Sequence, residues 1–248
     1  MTGTVASIWR HPIKSHGREA LDEVTLTAGK TMPWDRAWAV AHEVSTATND
    51  AWSPCAAFSR VSKAPALMAI TATLTEATET LTLRHPNRPD LTFQPDTQAE
   101  MLIDWVRPLM PADRAASMRI VRVAGRGMTD SDFPSVTICN HASHRAVEQR
   151  IGQELSIDRW RGNIWLDGLG PWEEFEWLDR DIRIGSAVLR VRERTDRCTA
   201  TIANPETGKR DADTLGALAH WGHKDFSVRA EVIEGGTIRH GDTAGLAG

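Results

Sequence analysis

Along this chain, apolar and β-branched residues fall mostly into short alternating runs and only occasionally at helical spacing. Over the first hundred residues the runs TVASIWR, ALDEVTLTA, RAWAVAHE, ALMAITATLT, TLTLRH and DLTFQP are rich in Val, Ile, Thr or Trp and are separated by Gly, Pro, Asn or Asp. That pattern predicts short strands joined by turns, in a small antiparallel sheet or barrel. A helix is predicted over TQAEMLIDWVRPL, and the stretch MPADRAASM, which has no periodicity, reads as a linker. The division falls near residue 115, giving segments 1–115 and 116–248.

The second segment opens with MRIVRV and, after the Gly-rich polar stretch AGRGMTDSDFP, continues with SVTICN, both strand-like. HASHRAVEQRIGQEL puts Ala146, Val147, Ile151 and Leu155 at helical spacing, with Asn140 or Ser143 as N-cap. Four further strand-like runs follow: GNIWLDGL, DIRIG, AVLRVRER and CTATIA. A short helix over DADTLGALAHWG and a terminal hairpin turning on Gly235-Gly236 complete the reading. The predicted fold is α+β, β-dominated and barrel-like, without internal repeats.

Composition removes several classes of function. The 33 acidic and 29 basic side chains leave a net charge of −4, so a general attraction to nucleic acid or to an anionic membrane is not expected. No run approaches the ~20 apolar residues of a membrane span, and the N-terminus lacks a signal-peptide core, so a soluble, cytoplasmic protein is expected. Ten Trp and no Tyr exclude a phenol as catalytic acid. Phosphate-loop, dinucleotide and serine-hydrolase signatures are absent. His141, His144 and Glu148 lie on one predicted helix face and would suit a divalent metal. Without a metalloprotease-type helix motif, however, they read as solvated helix surface, as do His220 and His223.

Charge becomes informative locally. HPIKSHGRE holds Lys14 and Ser15 in a turn after the first strand, WDRAW brings Asp35 and Arg36 to the mouth of another, and DRWRGN adds Arg159, Arg161 and Asn163. If these converge with the helix N-terminus near Asn140 to Ser143, backbone N–H groups and Arg forks make a phosphate pocket; scattered surface charge is the alternative. Three cysteines, Cys55, Cys139 and Cys198, form no Cys-x-x-Cys pair, which argues against a disulfide framework or structural zinc. Cys55 and Cys139 read as small buried hydrophobes. Cys198 sits between Arg194, Arg197 and the turn sequence Asn-Pro-Glu-Thr-Gly, a setting in which nearby cations favour the thiolate.

Two sets of blocks carry a resemblance. HPIKSHG with ALDEVTLTAGKTMPWDRAWAV resembles the N-terminal β-barrel segment that precedes MOSC domains. RWRGNIWLDG, PWEEFEWLDRDIRIGSAVLRV and DRCTATIANPETGKRD resemble the MOSC domain itself, the domain named for the C-terminal region of molybdenum cofactor sulfurases. Residues 45 to 115 match weakly. The resemblance implies a MOSC-type β-barrel behind a smaller N-terminal β-rich segment, and a molybdenum cofactor, molybdenum-molybdopterin, held between the two. Carried over, Cys198 is the metal ligand and the catalytic position; Lys14, Ser15, Arg36, Ser143, Arg161, Asn163, Asp196 and Arg197 bind the cofactor. Gly162 stands where family members carry Pro, which would relax the backbone beside Asn163. Members resembling the amidoxime reducing component imply an oxidoreductase acting on a small-molecule N-hydroxylated substrate. The chain has no iron-sulfur cysteine set and no flavin or dinucleotide fingerprint, so an external electron-donor protein is implied. The alternative from another class is a carrier of the cofactor or of sulfur, without turnover. The substrate-side wall is expected in EVSTATNDAWSPCAAF and GLGPWEEFEW.

Overall fold

The computed structural model describes residues 2–247. The chain opens with β1 (Thr2–Arg10), β2 (Glu19–Leu21) and β3 (Glu23–Leu26), followed by β4 (Ala39–His42). A meander of β5 (Thr71–Thr75), β6 (Thr80–His85) and β7 (Arg88–Phe93) leads to helix α1 (Ala99–Val106). Next come β8 (Ser117–Val121), β9 (Val136–Asn140), α2 (His141–Ile151) and β10 (Ile164–Asp167). The chain ends with β11 (Asp181–Ile184), β12 (Ala187–Asp196), α3 (Thr214–Ala219), β13 (Asp225–Glu234), β14 (Gly236–Arg239) and β15 (Thr243–Leu246).

Seven strands close into a barrel in the order β1, β10, β9, β13, β12, β11, β15 and back to β1. Closure leaves none of these seven with a free edge, and β2 extends the sheet from β1. Only the β9–β10 seam is parallel, and α2 supplies the crossover that a parallel pair requires. Alternation fills both faces. Val136 and Ile138, Ile164 and Leu166, and Val228, Ala230 and Val232 pack inside the barrel. Cys139, Trp165 and Phe226 on the same strands face outward into a second cluster under α2 and α3.

The first segment packs around its own core, in which Trp38, Leu83, Phe93, Leu102 and Trp105 join the β5–β6–β7 sheet to α1. Strand pairing crosses residue 115 repeatedly, since β1 pairs with β10 and β15, β3 with β14, and β4 with β8. The two segments therefore share a seam, and the site lies on it.

Two expected elements differ. CTATIA is a 3-10 turn over Thr199–Ile202, held where Thr201 N and Oγ1 both donate to Cys198 O at 3.2 Å. At the C-terminus, β14 pairs with β3 instead of forming a hairpin with β13. The glycines there serve close approach: a Cβ at Gly235 would lie 2.8 Å from Leu26 O, and one at Gly236 2.6 Å from Ala187 N.

Candidate functional site

A cavity of about 180 Å³ opens on the seam between the segments. The turn after β1 brings Lys14 and Ser15 to it, and the loop before β4 brings Arg36. The 3-10 turn ahead of β10 supplies Arg159 and Arg161, and the end of β12 supplies Asp196, Arg197 and Cys198. Seven cationic side chains line the cavity against the carboxylates of Asp130 and Asp196.

Three lining residues hold left-handed backbone: Ser15 (φ 64°), Arg36 (φ 52°) and Arg161 (φ 50°). For residues with a Cβ this costs about 1 to 2 kcal/mol each, and such outliers gather where function fixes the backbone. Arg36 is locked at both ends of its guanidinium. It pairs with Asp35 through Nη1 and donates from Nη2 to Arg161 O at 2.7 Å. Asp35 also accepts from His11 N at 2.8 Å. Burial pushes the Asp35 carboxyl up, but Arg36 and His11 outweigh it and hold it below the usual carboxylate range. Lys14, 4 % exposed, donates to Met128 O at 2.6 Å and pairs with Asp130. Burial pushes its ammonium down, against the pull of Asp130. Arg161 is pushed down to about 9 by burial and by the neighbouring Arg36 and Arg18.

Cys198 is exposed at the cavity, just past the end of β12. Arg197, pushed down to about 10 chiefly by burial, lines the cavity too. Its guanidinium, however, donates to Phe226 O, Trp160 O and Ser227 Oγ at 3.0, 2.7 and 2.6 Å. It braces the strand that carries Cys198. Arg194 lies over the Phe175 ring, 4.3 Å from its centroid, and does not line the cavity. Cys139 is buried as expected, its thiol pushed up to about 12 by burial. Cys55 departs from expectation: it is half-buried, lines the same cavity and accepts from Arg60 Nη1 at 3.3 Å.

Ser143 and Asn163 do not join this group. At the α2 N-terminus Asn140 Oδ1 accepts from Ala142 N at 2.8 Å, while Ser143 Oγ donates to Glu174 Oε1 at 2.8 Å. The Glu174 carboxyl group, fully buried, fills that helix end and takes the Ser143 hydroxyl. Asn163, also fully buried, accepts from Thr137 N at 3.0 Å and donates to Trp9 O at 3.2 Å. Gly162 does not loosen it: a Cβ there would fall inside 3.0 Å of the Cys139 sulfur, so the glycine permits tight packing. His144 is buried as well, accepting from Trp160 Nε1 at 2.9 Å, and is not solvated helix surface.

Residues 128–244 match the MOSC domain, and residues 2–107 match the MOSC N-terminal beta barrel domain. The chain belongs to the MOSC family. Among curated proteins it is similar to the molybdenum cofactor sulfurase of Drosophila grimshawi, 30% identical over 110 residues, covering 41% of this chain and 14% of that protein. The molybdenum cofactor sulfurase of Anopheles gambiae is 24% identical over 170 residues, covering 60% of this chain and 20% of that protein. The MOSC chain thus spans a fifth or less of the length of these relatives. Among solved structures, the YUAD protein from Bacillus subtilis aligns with TM-score 0.48 at 10% identity, over 98% of this chain and 94% of that one. YiiM from Geobacillus stearothermophilus aligns with TM-score 0.37 at 19% identity, over 46% of this chain and 54% of that one.

The donor set of the MOSC cavity fits an anionic group that brings soft-metal chemistry. Arg159 Nε and Nη1 and Arg161 Nη1 are buried without a hydrogen-bond partner, a state that costs about 1 to 3 kcal/mol per group until an acceptor arrives. No cluster of three or more His, Cys, Asp or Glu able to hold a metal occurs among the described residues. Arg60 was not singled out in the sequence, and Cys55 was read as a small buried hydrophobe although it lies in a stretch expected to form the substrate-side wall. Of the two stretches expected to form the substrate-side wall, the first contributes Cys55 and the second contributes nothing to the lining.

Proposed function

We propose that the protein binds a molybdenum-pterin cofactor in the seam cavity and reduces N-hydroxylated or N-oxide compounds with electrons from an external donor protein. One observation carries this reading: an exposed thiol opens onto a cavity rich in cations whose buried arginines still hold free donors. Lys14, Arg36 and Arg161 would hold the phosphate, with Ser15 as a further donor from its fixed turn. Cys198 would offer a soft thiolate to the metal. The bound group supplies oxygen-atom transfer coupled to two electrons; the protein supplies binding, orientation and electrostatics. Asp35 keeps Arg36 aimed through their ion pair, and Arg197 keeps the end of β12 fixed. Each phosphate contact removed by Lys14→Ala, Arg36→Ala or Arg161→Ala takes away a charge-assisted hydrogen bond of about 1.5 to 3 kcal/mol, roughly ten- to hundred-fold in cofactor retention.

A second reading, a carrier that passes cofactor or sulfur onward, draws support from the sulfurase names of the curated relatives. The test separates the two. Molybdenum-loaded protein is assayed on a benzamidoxime-type substrate with reduced viologen, with NADH alone, and with NADH plus a reductase and electron carrier. Turnover with viologen that vanishes in Cys198→Ser supports the reductase. Fully loaded protein that is inert with every donor, yet releases cofactor to an apo-enzyme within minutes, supports the carrier.

A further inference from the structure

We infer that Arg159 and Arg161, one on each side of Trp160, form an oxyanion clamp in which Arg159 touches the bound anion directly. The clamp rests on the proposed function only for the identity of that anion. Arg159 lies outside the set that the family resemblance carries over, yet it lines the cavity at 2 % exposure. Only its Nη2 is engaged, donating to Asp211 Oδ1 at 2.6 Å. Asp211 is itself fixed, since Asn204 Nδ2 donates to its other carboxylate oxygen at 2.6 Å and its own N–H donates to Ile202 O at 3.1 Å. The turn Asn-Pro-Glu-Thr-Gly after Cys198 thus acquires a purpose: it anchors the carboxylate that holds Arg159 from behind.

The remaining donors of Arg159, Nε and Nη1, have no partner, and Arg161 Nη1 is in the same condition. Arg161 donates only through Nη2, to Gly17 O at 3.2 Å. A guanidinium fork anchored at one nitrogen and free at the others suits the parallel acceptor oxygens of a phosphate or carboxylate. Arg161 has no carboxylate partner among the described ion pairs and sits in the repulsive field of Arg36 and Arg18. An oxyanion satisfies the orphaned donors and relieves this crowding of like charge. Its source is the phosphate of the cofactor or an anionic group on the substrate.

The experiment titrates inorganic phosphate into cofactor-free protein by calorimetry, comparing wild type with Arg159→Gln, Arg159→Lys and Arg229→Gln. Arg229 is a cavity cation already paired with Glu193 at 2.7 Å. Binding at one phosphate per chain is expected, weakened at least ten-fold in Arg159→Gln, by less in Arg159→Lys, and under three-fold in Arg229→Gln. If Arg159→Gln does not fold, Asp211→Asn serves instead. It keeps the guanidinium but frees it, and a several-fold loss is expected. Wild-type phosphate affinity in a folded Arg159→Gln or Asp211→Asn variant overturns the clamp. Repeating the titration on cofactor-loaded protein identifies the source. Phosphate excluded by bound cofactor, together with faster pterin loss from Arg159→Gln, assigns the clamp to the cofactor's phosphate. Phosphate binding that persists in loaded protein and still depends on Arg159 assigns it to a substrate anion. Arg159-dependent phosphate binding in a protein that never retains pterin keeps the clamp and defeats the proposed function. Firm pterin retention with phosphate affinity indifferent to Arg159 does the reverse.

Discussion

Replacing Gly162 with Ala places a methyl group inside 3.0 Å of the Cys139 sulfur, with Cys139 Cβ and Trp165 Nε1 each 3.5 Å away. Only the sulfur is in conflict, because 3.5 Å is ordinary contact. Overpacking of this kind costs roughly 1 to 3 kcal/mol. Removing the obstacle by Cys139→Ala leaves a small void, which costs about 1 kcal/mol by itself. The double variant should then be about as stable as Cys139→Ala alone, giving a coupling of roughly 1 to 3 kcal/mol. Urea unfolding of the four proteins measures the cycle. The effect reaches the site because Arg161 and the Asn163 anchor flank the glycine. Gly162→Ala should therefore also weaken phosphate binding, and Cys139→Ala should restore it. Additive losses in the double variant would refute the packing argument and return Gly162 to the looser role its sequence suggested.

Two further predictions follow from burial. Glu174 is pushed up to about 7 by burial, against hydrogen bonds from Asn140 and Ser143. Its folded value lies above the unfolded one, so its contribution is fully present below about 4.5 and is lost as pH rises through 7. Relative to Glu174→Gln, wild type should lose about 2 to 3 kcal/mol between pH 5 and pH 8. The comparison is needed because His11 and His16, pushed down by burial to about 3 and about 4, lose stability in the opposite direction as pH falls below 6.5. A wild-type-minus-variant difference that stays flat with pH contradicts the assignment. For the thiols, intact-mass kinetics with iodoacetamide should show Cys198 modified first, Cys55 more slowly, and Cys139 only after unfolding. Native labelling of Cys139 would contradict its burial.

Local patterning made much of this fold legible. Alternation marked most strands, and helical spacing with an Asn cap located α2, because those signals depend on neighbouring residues. A barrel was expected, but the strand order that closes it was not legible. That β1 pairs with β10 and β15, and that Gly235 and Gly236 let β14 reach β3, are long-range facts carried by contacts with no local signature. At the site, Lys14, Ser15, Arg36, Arg161 and Cys198 were brought together as their chemistry suggested. Ser143 and Asn163 lie outside the cavity lining, and in sequence a buried hydroxyl or amide with internal partners looks like one left free for a ligand. Glu174 fills the α2 N-terminus, and an acid 34 residues from Asn140 gave no sign in sequence that it would do so. Arg159 was visible as a cation, but its free donors depend on the placement of Asp211, which only the fold supplies.

The proposed function requires Cys198 to donate its sulfur to a molybdenum held by a pterin. Protein made in a host able to synthesise the cofactor should contain molybdenum and pterin in equal amounts, and molybdenum X-ray absorption on wild type and Cys198→Ser reads the metal's sulfur neighbours. One fewer sulfur neighbour at the metal is expected in Cys198→Ser, with pterin still bound, and no change in Cys139→Ser. An identical molybdenum environment in wild type and Cys198→Ser, or protein that carries neither metal nor pterin from such a host, would contradict it.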